Sequence, residues 1–242
     1  MTASRADGAL RYRRDAVGTQ PPLDSPAYAS TRLRAPRLAP VLLRQTLTEV
    51  TGPRFDAGRV GPDDSDLTRQ SGGEAQGQRI IVHGRVLDGE GRPVPHTMIE
   101  IWQANAAGRY AHEVDQHPAP LDPNFVGAGR CCTDADGAYR FVTIKPGAYP
   151  WGNHPNAWRP AHIHFSLFGV AFAQRLVTQM YFPGDPLFGQ DPIFNAVPDE
   201  RARQRLVSRF DLERSVPEWA LAFAFDIVLR GRDETPWEAA AR

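Results

Sequence analysis

An all-β sandwich preceded by an irregular arm follows from three features of the sequence. From Gln78 onward, short runs rich in Val, Ile and aromatic residues recur, each closed by a cluster of Gly, Pro or Asp. Only one segment in that half carries a helical signature. The run Ile163-His164-Phe165-Ser166-Leu167-Phe168-Gly169-Val170 reads as a strand, and side chains on a strand alternate between faces. His162 and His164 therefore project together, with Ile163 on the opposite face.

Residues 1–75 show no sustained periodicity and are rich in Arg, Pro and Gly. Within them only residues 39–47 suggest a short element. A stretch of this length is either disordered or draped over a partner. Tyr12, Tyr28 and Phe55 favour draping, because a purely solvated tail carries few aromatics. The expected organisation is thus a subunit-contacting arm over residues 1–75 and a sandwich domain over residues 76–242. Residues 79–88 make the first strand, ended by the turn cluster Gly89-Glu90-Gly91-Arg92-Pro93, and residues 97–103 make the second. A long loop over residues 110–129 contains Pro118, Pro120 and Pro123. A hairpin is expected next, with residues 130–133 and 138–144 flanking Asp134-Ala135-Asp136-Gly137. That turn has a faint likeness to a calcium loop but lacks its remaining ligands. Residues 172–182 should pair back onto the histidine strand. Pro198-Asp199-Glu200 opens a single short helix over residues 201–210, acidic at its start as the helix dipole favours. The nearly all-apolar residues 220–231 read as a last, central strand.

Composition narrows the function classes. Lys and Arg number 28 against 28 Asp and Glu, which argues against a nucleic-acid or anionic-membrane surface. The two cysteines, Cys131 and Cys132, are adjacent and poorly placed for an unstrained disulfide, so a reducing cytoplasm is the expected location. No transmembrane run is seen, and no apolar h-region near the N-terminus, where Arg5, Arg11, Arg13 and Arg14 alternate with polar residues; a soluble, intracellular protein is expected.

The sequence contains no nucleophile elbow, phosphate-binding loop, dinucleotide fingerprint or Cys-x-x-Cys pair. What remains is the His-x-His pair, able to close on one metal ion. The proline-stiffened loop before it carries Tyr149, Trp151, Trp158 and Arg159, material for the wall of a small aromatic pocket. Further ligands must come from loops reaching the same end of the sandwich, and Tyr110 and Tyr149 are so placed. The bland alternative is a sandwich strand with two half-exposed histidines. The remaining five histidines read as structural or solvated.

Four stretches carry a family likeness. They are Ile101-Trp102-Gln103-Ala104-Asn105-Ala106-Ala107-Gly108-Arg109-Tyr110, Leu121-Asp122-Pro123-Asn124-Phe125, Ile144-Lys145-Pro146-Gly147 running into Tyr149-Pro150-Trp151, and Trp158-Arg159-Pro160-Ala161-His162-Ile163-His164. Together they resemble the intradiol ring-cleaving dioxygenases, and within that family the β subunits of the branch acting on protocatechuate (3,4-dihydroxybenzoate). The likeness continues through Gln179-Met180-Tyr181-Phe182 and Asp226-Ile227-Val228-Leu229-Arg230-Gly231, and back to Thr51-Gly52-Pro53. It is weaker in the rest of the arm and after Gly231.

The resemblance implies one non-haem Fe(III) held by Tyr110, Tyr149, His162 and His164. That donor set is chemically coherent: tyrosine, with a pKa of roughly 10, needs a strong cation beside it to be a phenolate at neutral pH. Hard anionic oxygen ligands in turn favour the ferric ion. The resemblance further implies a diphenol substrate cleaved by O2 between its two hydroxylated carbons, the product from protocatechuate being 3-carboxy-cis,cis-muconate. Tyr149 would take a substrate proton, Arg159 would stabilise a carbanion-like ring, and Gln179 would position the substrate. Trp151 and Ile193 would wall the ring, Trp102 would pack behind the ligands, and Tyr28 would meet the ring carboxylate. A companion α subunit is implied as the partner in a hetero-oligomer of αβ units. Two alternatives stand beside this reading: a catechol or hydroxyquinol 1,2-dioxygenase, and a non-catalytic sandwich binding a ligand or zinc through His162 and His164.

Overall fold

The computed structural model describes residues 18–38, 60–168 and 176–238. The short element expected at residues 39–47, the family-like Thr51-Gly52-Pro53, and Tyr12 and Phe55 lie outside these.

Two sheets stack face to face. The first contains β1 (Arg79–Leu87), β4 (Ala138–Ile144), β9 (Arg209–Val216), β10 (Ala220–Ala224) and β11 (Ile227–Val228). β1 pairs antiparallel with β4 and parallel with β10 and β11, while β9 runs antiparallel along β10. The apolar run near the C-terminus is central only over β10, which lies between β1 and β9; it breaks after Ala224, and β11 pairs with β1 alone. The second sheet has the order β3 (Ala128–Cys132), β2 (Met98–Trp102), β7 (His162–Phe168), β8 (Leu176–Tyr181), antiparallel throughout. A two-stranded ribbon, β5 (Tyr149–Pro150) with β6 (Trp158–Arg159), lies apart from both.

Alternation along the strands builds the core. Ile80, Val82, Phe141 and Phe223 of the first sheet pack against Ile99, Ile101, Ile163, Phe165, Leu167 and Met180 of the second. With these inward, His162, His164 and Ser166 of β7 point out of the sandwich. They are nonetheless buried, because loops and terminal segments roof that outer face.

Two local expectations need correction. Residues 130–133 and 138–144 do not form a hairpin: β3 pairs with β2 and β4 with β1, so the turn at Asp134 carries the chain from one sheet to the other. The turn itself is as expected, with Asp134 Oδ1 accepting from the Asp136 and Ala138 amides and Gly137 at φ +68°. The helix expected over residues 201–210 is shorter. After α1 (Thr31–Arg34) and α2 (Pro192–Asn195), a second short helix in this half where one was expected, α3 spans Glu200–Gln204, capped by Asp199. It stops because Tyr181 claims the next backbone groups, donating to Leu206 O and accepting from the Ser208 amide. Arg209 then starts β9. Phe194, Val197, Ala202 and Leu206 close over Tyr181 as a second small core on the outer face. Among the described residues no helix is long and apolar enough to cross a membrane.

Candidate metal centre

Strand register assembles the floor of the site. His164 pairs with Trp102 of β2 on one side and Gln179 of β8 on the other, and His162 pairs with Tyr181. Paired residues share a face, so Trp102, His164, Gln179, His162 and Tyr181 form one patch on the outer surface of the sheet. The sequence reading looked for further ligands on loops reaching the same end of the sandwich as the two histidines; the patch lies near the strand termini on the sheet's outer face, with Tyr110 and Tyr149 on loops beside it.

Two loops bring the tyrosines above this patch. Tyr110 ends a tight turn organised by Asn105, whose Oδ1 accepts from the Ala107 and Arg109 amides and whose carbonyl accepts from Gly108 and Gly147. Gly108 has φ +79°, and a Cβ there would collide with Ala148 O. Only glycine lets the Tyr110 turn approach the Tyr149 segment this closely. Tyr149 is fixed by β5, where it pairs with Arg159. The phenol rings meet edge to face at 5.4 Å.

The four expected donors converge. Tyr149 Oη lies 3.3 Å from His162 Nε2, and Tyr110 Oη lies 3.2 Å from His164 Nε2. The imidazole rings are 4.9 Å apart. Each ring is anchored by its other nitrogen: His162 Nδ1 donates to Pro160 O at 2.7 Å, and His164 Nδ1 donates to Glu238 Oε2 at 2.9 Å. Both Nε2 lone pairs therefore face the phenols, as metal ligation requires. Donors about 2 Å from one ion stand about 2.8 Å apart at octahedral and about 3.3 Å apart at tetrahedral angles, and the two measured separations fall near the tetrahedral end. Among the described residues no group of three or more His, Cys, Asp and Glu is placed to hold a metal; the donors that the patch adds to the two histidines are the phenols.

Electrostatics agree with that donor set. Burial, with Arg159 and His164 nearby, drives His162 well below the usual histidine range and keeps it neutral. Burial also raises both phenols, Tyr110 strongly, with the neighbouring Tyr149 adding to it. Without a strong cation beside them the two tyrosines stay protonated.

Arg159 flanks the donors. It is buried, with Nε and Nη2 each 3.2 Å from Asp191 Oδ2, and Nη2 also donates to Tyr181 Oη at 2.9 Å and to Gln179 Oε1. This orients the Gln179 amide so that its buried Nε2, with no close hydrogen bond of its own, faces the Glu238 carboxylate. Trp151 stands beside Arg159, its ring 5.7 Å from the guanidinium carbon, and Tyr28 meets Trp151 edge-on at 5.3 Å. Asn153 holds the arm there, accepting from the Ala29 amide and donating to Ala27 O. Trp102 stacks on His164 at 4.7 Å with the planes 8° apart. Ile193 is joined to the cluster through Asp191, which caps α2 and accepts from the Ile193 amide. Three members went unseen in the sequence: Asp191, Tyr181 and Glu238. Tyr181 was findable, two residues beyond Gln179 on a strand paired with the histidines. The other two lie on loop and tail with no local signal.

The family profile described as "Dioxygenase" matches residues 50–231, and that described as "Protocatechuate 3,4-dioxygenase beta subunit N terminal" matches residues 12–46. The protocatechuate 3,4-dioxygenase beta chain of Burkholderia cepacia is 61% identical over 215 residues, 88% of this chain and 91% of that one. The alpha chain from the same organism is 30% identical over 202 residues, 80% of this chain and 96% of that one. Among solved structures, 3-chlorocatechol 1,2-dioxygenase of Rhodococcus opacus 1CP superposes with a TM-score of 0.54 at 27% identity, covering 76% of this chain and 71% of that one. With three quarters of its length under the dioxygenase profile and a relative of this identity over nearly all of it, the chain belongs to the family of intradiol ring-cleaving dioxygenases.

Proposed function

We propose that this chain is the β subunit of an enzyme that cleaves protocatechuate with O2 between its two hydroxylated carbons, giving 3-carboxy-cis,cis-muconate. The observation that carries the reading is the convergence of two phenol oxygens and two anchored Nε2 atoms beside a buried guanidinium. Tyr110, Tyr149, His162 and His164 hold the metal in this reading. A ferric ion so held supplies Lewis acidity that ionises the phenols and a bound diphenol.

The chain's own groups do the rest. Tyr149, on a short ribbon rather than in a sheet, takes a proton from the substrate at its phenol oxygen. Arg159 cannot lose its charge, and Asp191 and Tyr181 fix its plane, so it meets negative charge developing on the ring without reorganising. The Gln179 amide, its oxygen held by Arg159, donates through Nε2 to a substrate oxygen. Trp151 and Ile193 close the pocket, and Tyr28 reaches it from the arm.

The arm itself supports an α partner. Gly18 accepts from the Asp199 amide, and Asn153 grips residues 27–29, so this part of the chain drapes over the sandwich. Leu33 and Leu38, at 91% and 84% exposure, turn outward as apolar surface for a companion chain. We assign the arm to this contact and the sandwich to catalysis, in αβ units with one iron each; the expected boundary at residue 75 falls late, since Leu67 and Ala75 are already buried in the sandwich core. Both cysteines are free, in keeping with a cytoplasmic enzyme.

Co-production with an α chain, followed by O2 uptake and loss of protocatechuate absorbance, tests the reading. The active protein is expected to be red from phenolate-to-iron charge transfer. A colourless, iron-free and inactive complex refutes it and returns the sandwich to a binding role.

A further inference from the structure

The segment after Gly231 is built into the metal centre. The Thr235 amide donates to Val228 O, Thr178 Oγ1 donates to Pro236 O, and the Glu238 amide donates to Val177 O at 2.7 Å, which seats the tail along the edge of β8. From the other terminus Gln20 grips the same segment, accepting from the Trp237 amide at 2.8 Å and donating to Glu234 Oε1 at 2.9 Å. This places the Glu238 carboxylate, its side chain 9% exposed, against His164 Nδ1. The carboxylate is on the far side of the imidazole from Nε2, which faces Tyr110. Glu238 is thus not placed as a ligand. It sits where a carboxylate orients a metal-bound histidine, while Trp102 fixes the plane of the same ring by stacking.

We propose that Glu238 is a positioning residue for the metal: it locks the tautomer and rotation of His164 and makes Nε2 a stronger donor, and so sets how tightly the chain holds its metal. The two histidines differ in this respect. His162 rests on a neutral carbonyl, His164 on a carboxylate. The more electron-rich ligand is therefore the one tied to the tail and, through Gln20, to the arm. The proposal rests on the iron-binding reading above.

The test uses the full chain in complex with its α partner and compares Glu238→Ala and Glu238→Gln with the parent. Iron retention is followed against a chelator, and the visible charge-transfer band is recorded on each loaded protein. Glu238→Ala is expected to hold iron about 10–100-fold more weakly, with Glu238→Gln, which keeps an accepting oxygen but no charge, between the two. The band should move in both, a change that a merely structural tail contact would not produce. A Glu238→Ala protein that keeps iron as the parent does, with an unmoved band, overturns the proposal. Should that variant fail to fold, Glu238→Gln decides: weaker retention supports the role, and parental retention with an unmoved band ends it. A parent that never acquires iron refutes the functional reading instead, so the two failures are distinguishable.

Discussion

Arg159 is 3% exposed and Asp191 fully buried, so neither charge has water to fall back on. Removing one partner of such a pair strands the other, at a cost of about 3–5 kcal/mol. Asp191→Asn should lose stability on that scale in urea unfolding, toward the lower end because Tyr181 and Gln179 still accept from the guanidinium. Tyr149→Phe tests a different role. The variant is expected to load iron through the remaining donors but to slow anaerobic substrate binding by about 10²-fold or more, the usual worth of a positioned proton acceptor. Unchanged stopped-flow kinetics would remove Tyr149 from proton transfer. At this scale the sequence was unevenly legible. Strand alternation alone put His162 and His164 on one face. Tyr110 and Tyr149 were ordinary loop aromatics until a family likeness singled them out. Asp191 and Glu238 lie 32 residues beyond Arg159 and 74 beyond His164 respectively, and no local pattern spans such distances.

Elements were legible where one face was buried and misread where a turn stood alone. The histidine strand and its return partner follow from their apolar alternation. The turn at Asp134 has good hairpin chemistry, yet it joins two sheets, because turn residues specify a reversal and not which strand lies beside which. The helix over residues 201–210 had a proper start in Asp199, but strand bonds to Tyr181 took over its C-terminal half. The turn around Gly108 is where element geometry matters most for the site. Gly108→Ala places a side chain at φ +79° against Ala148 O, a strain of about 1–3 kcal/mol. It should also part the Tyr110 turn from the Tyr149 ribbon. A lowered melting temperature together with less iron per chain is the expected result; a protein with parental iron content would show that the two loops are placed independently.

At the scale of the molecule, both terminal segments converge on the roof of the outer face: the arm through Tyr28 and Gln20, the tail through Glu238. The arm's outward leucines lead to a prediction about assembly. Leu33→Asp with Leu38→Asp should weaken association with the α chain, seen as dissociation in size-exclusion chromatography, while the isolated β chain keeps its melting temperature. The resemblance anticipated such a partner; the exposed leucines give it a surface to meet.

Strand β7 carries hydrophobic filling on one side and candidate donors on the other. A slip of a single residue against β2 or β8 would send imidazoles into the oil and aliphatics onto the roof at the same time. Misassembled chains should therefore be pale as well as unstable. In a refolding experiment with ferric iron, the colour expected of the proposed site should then rise with the number of correctly threaded molecules and serve as a gauge of fold fidelity.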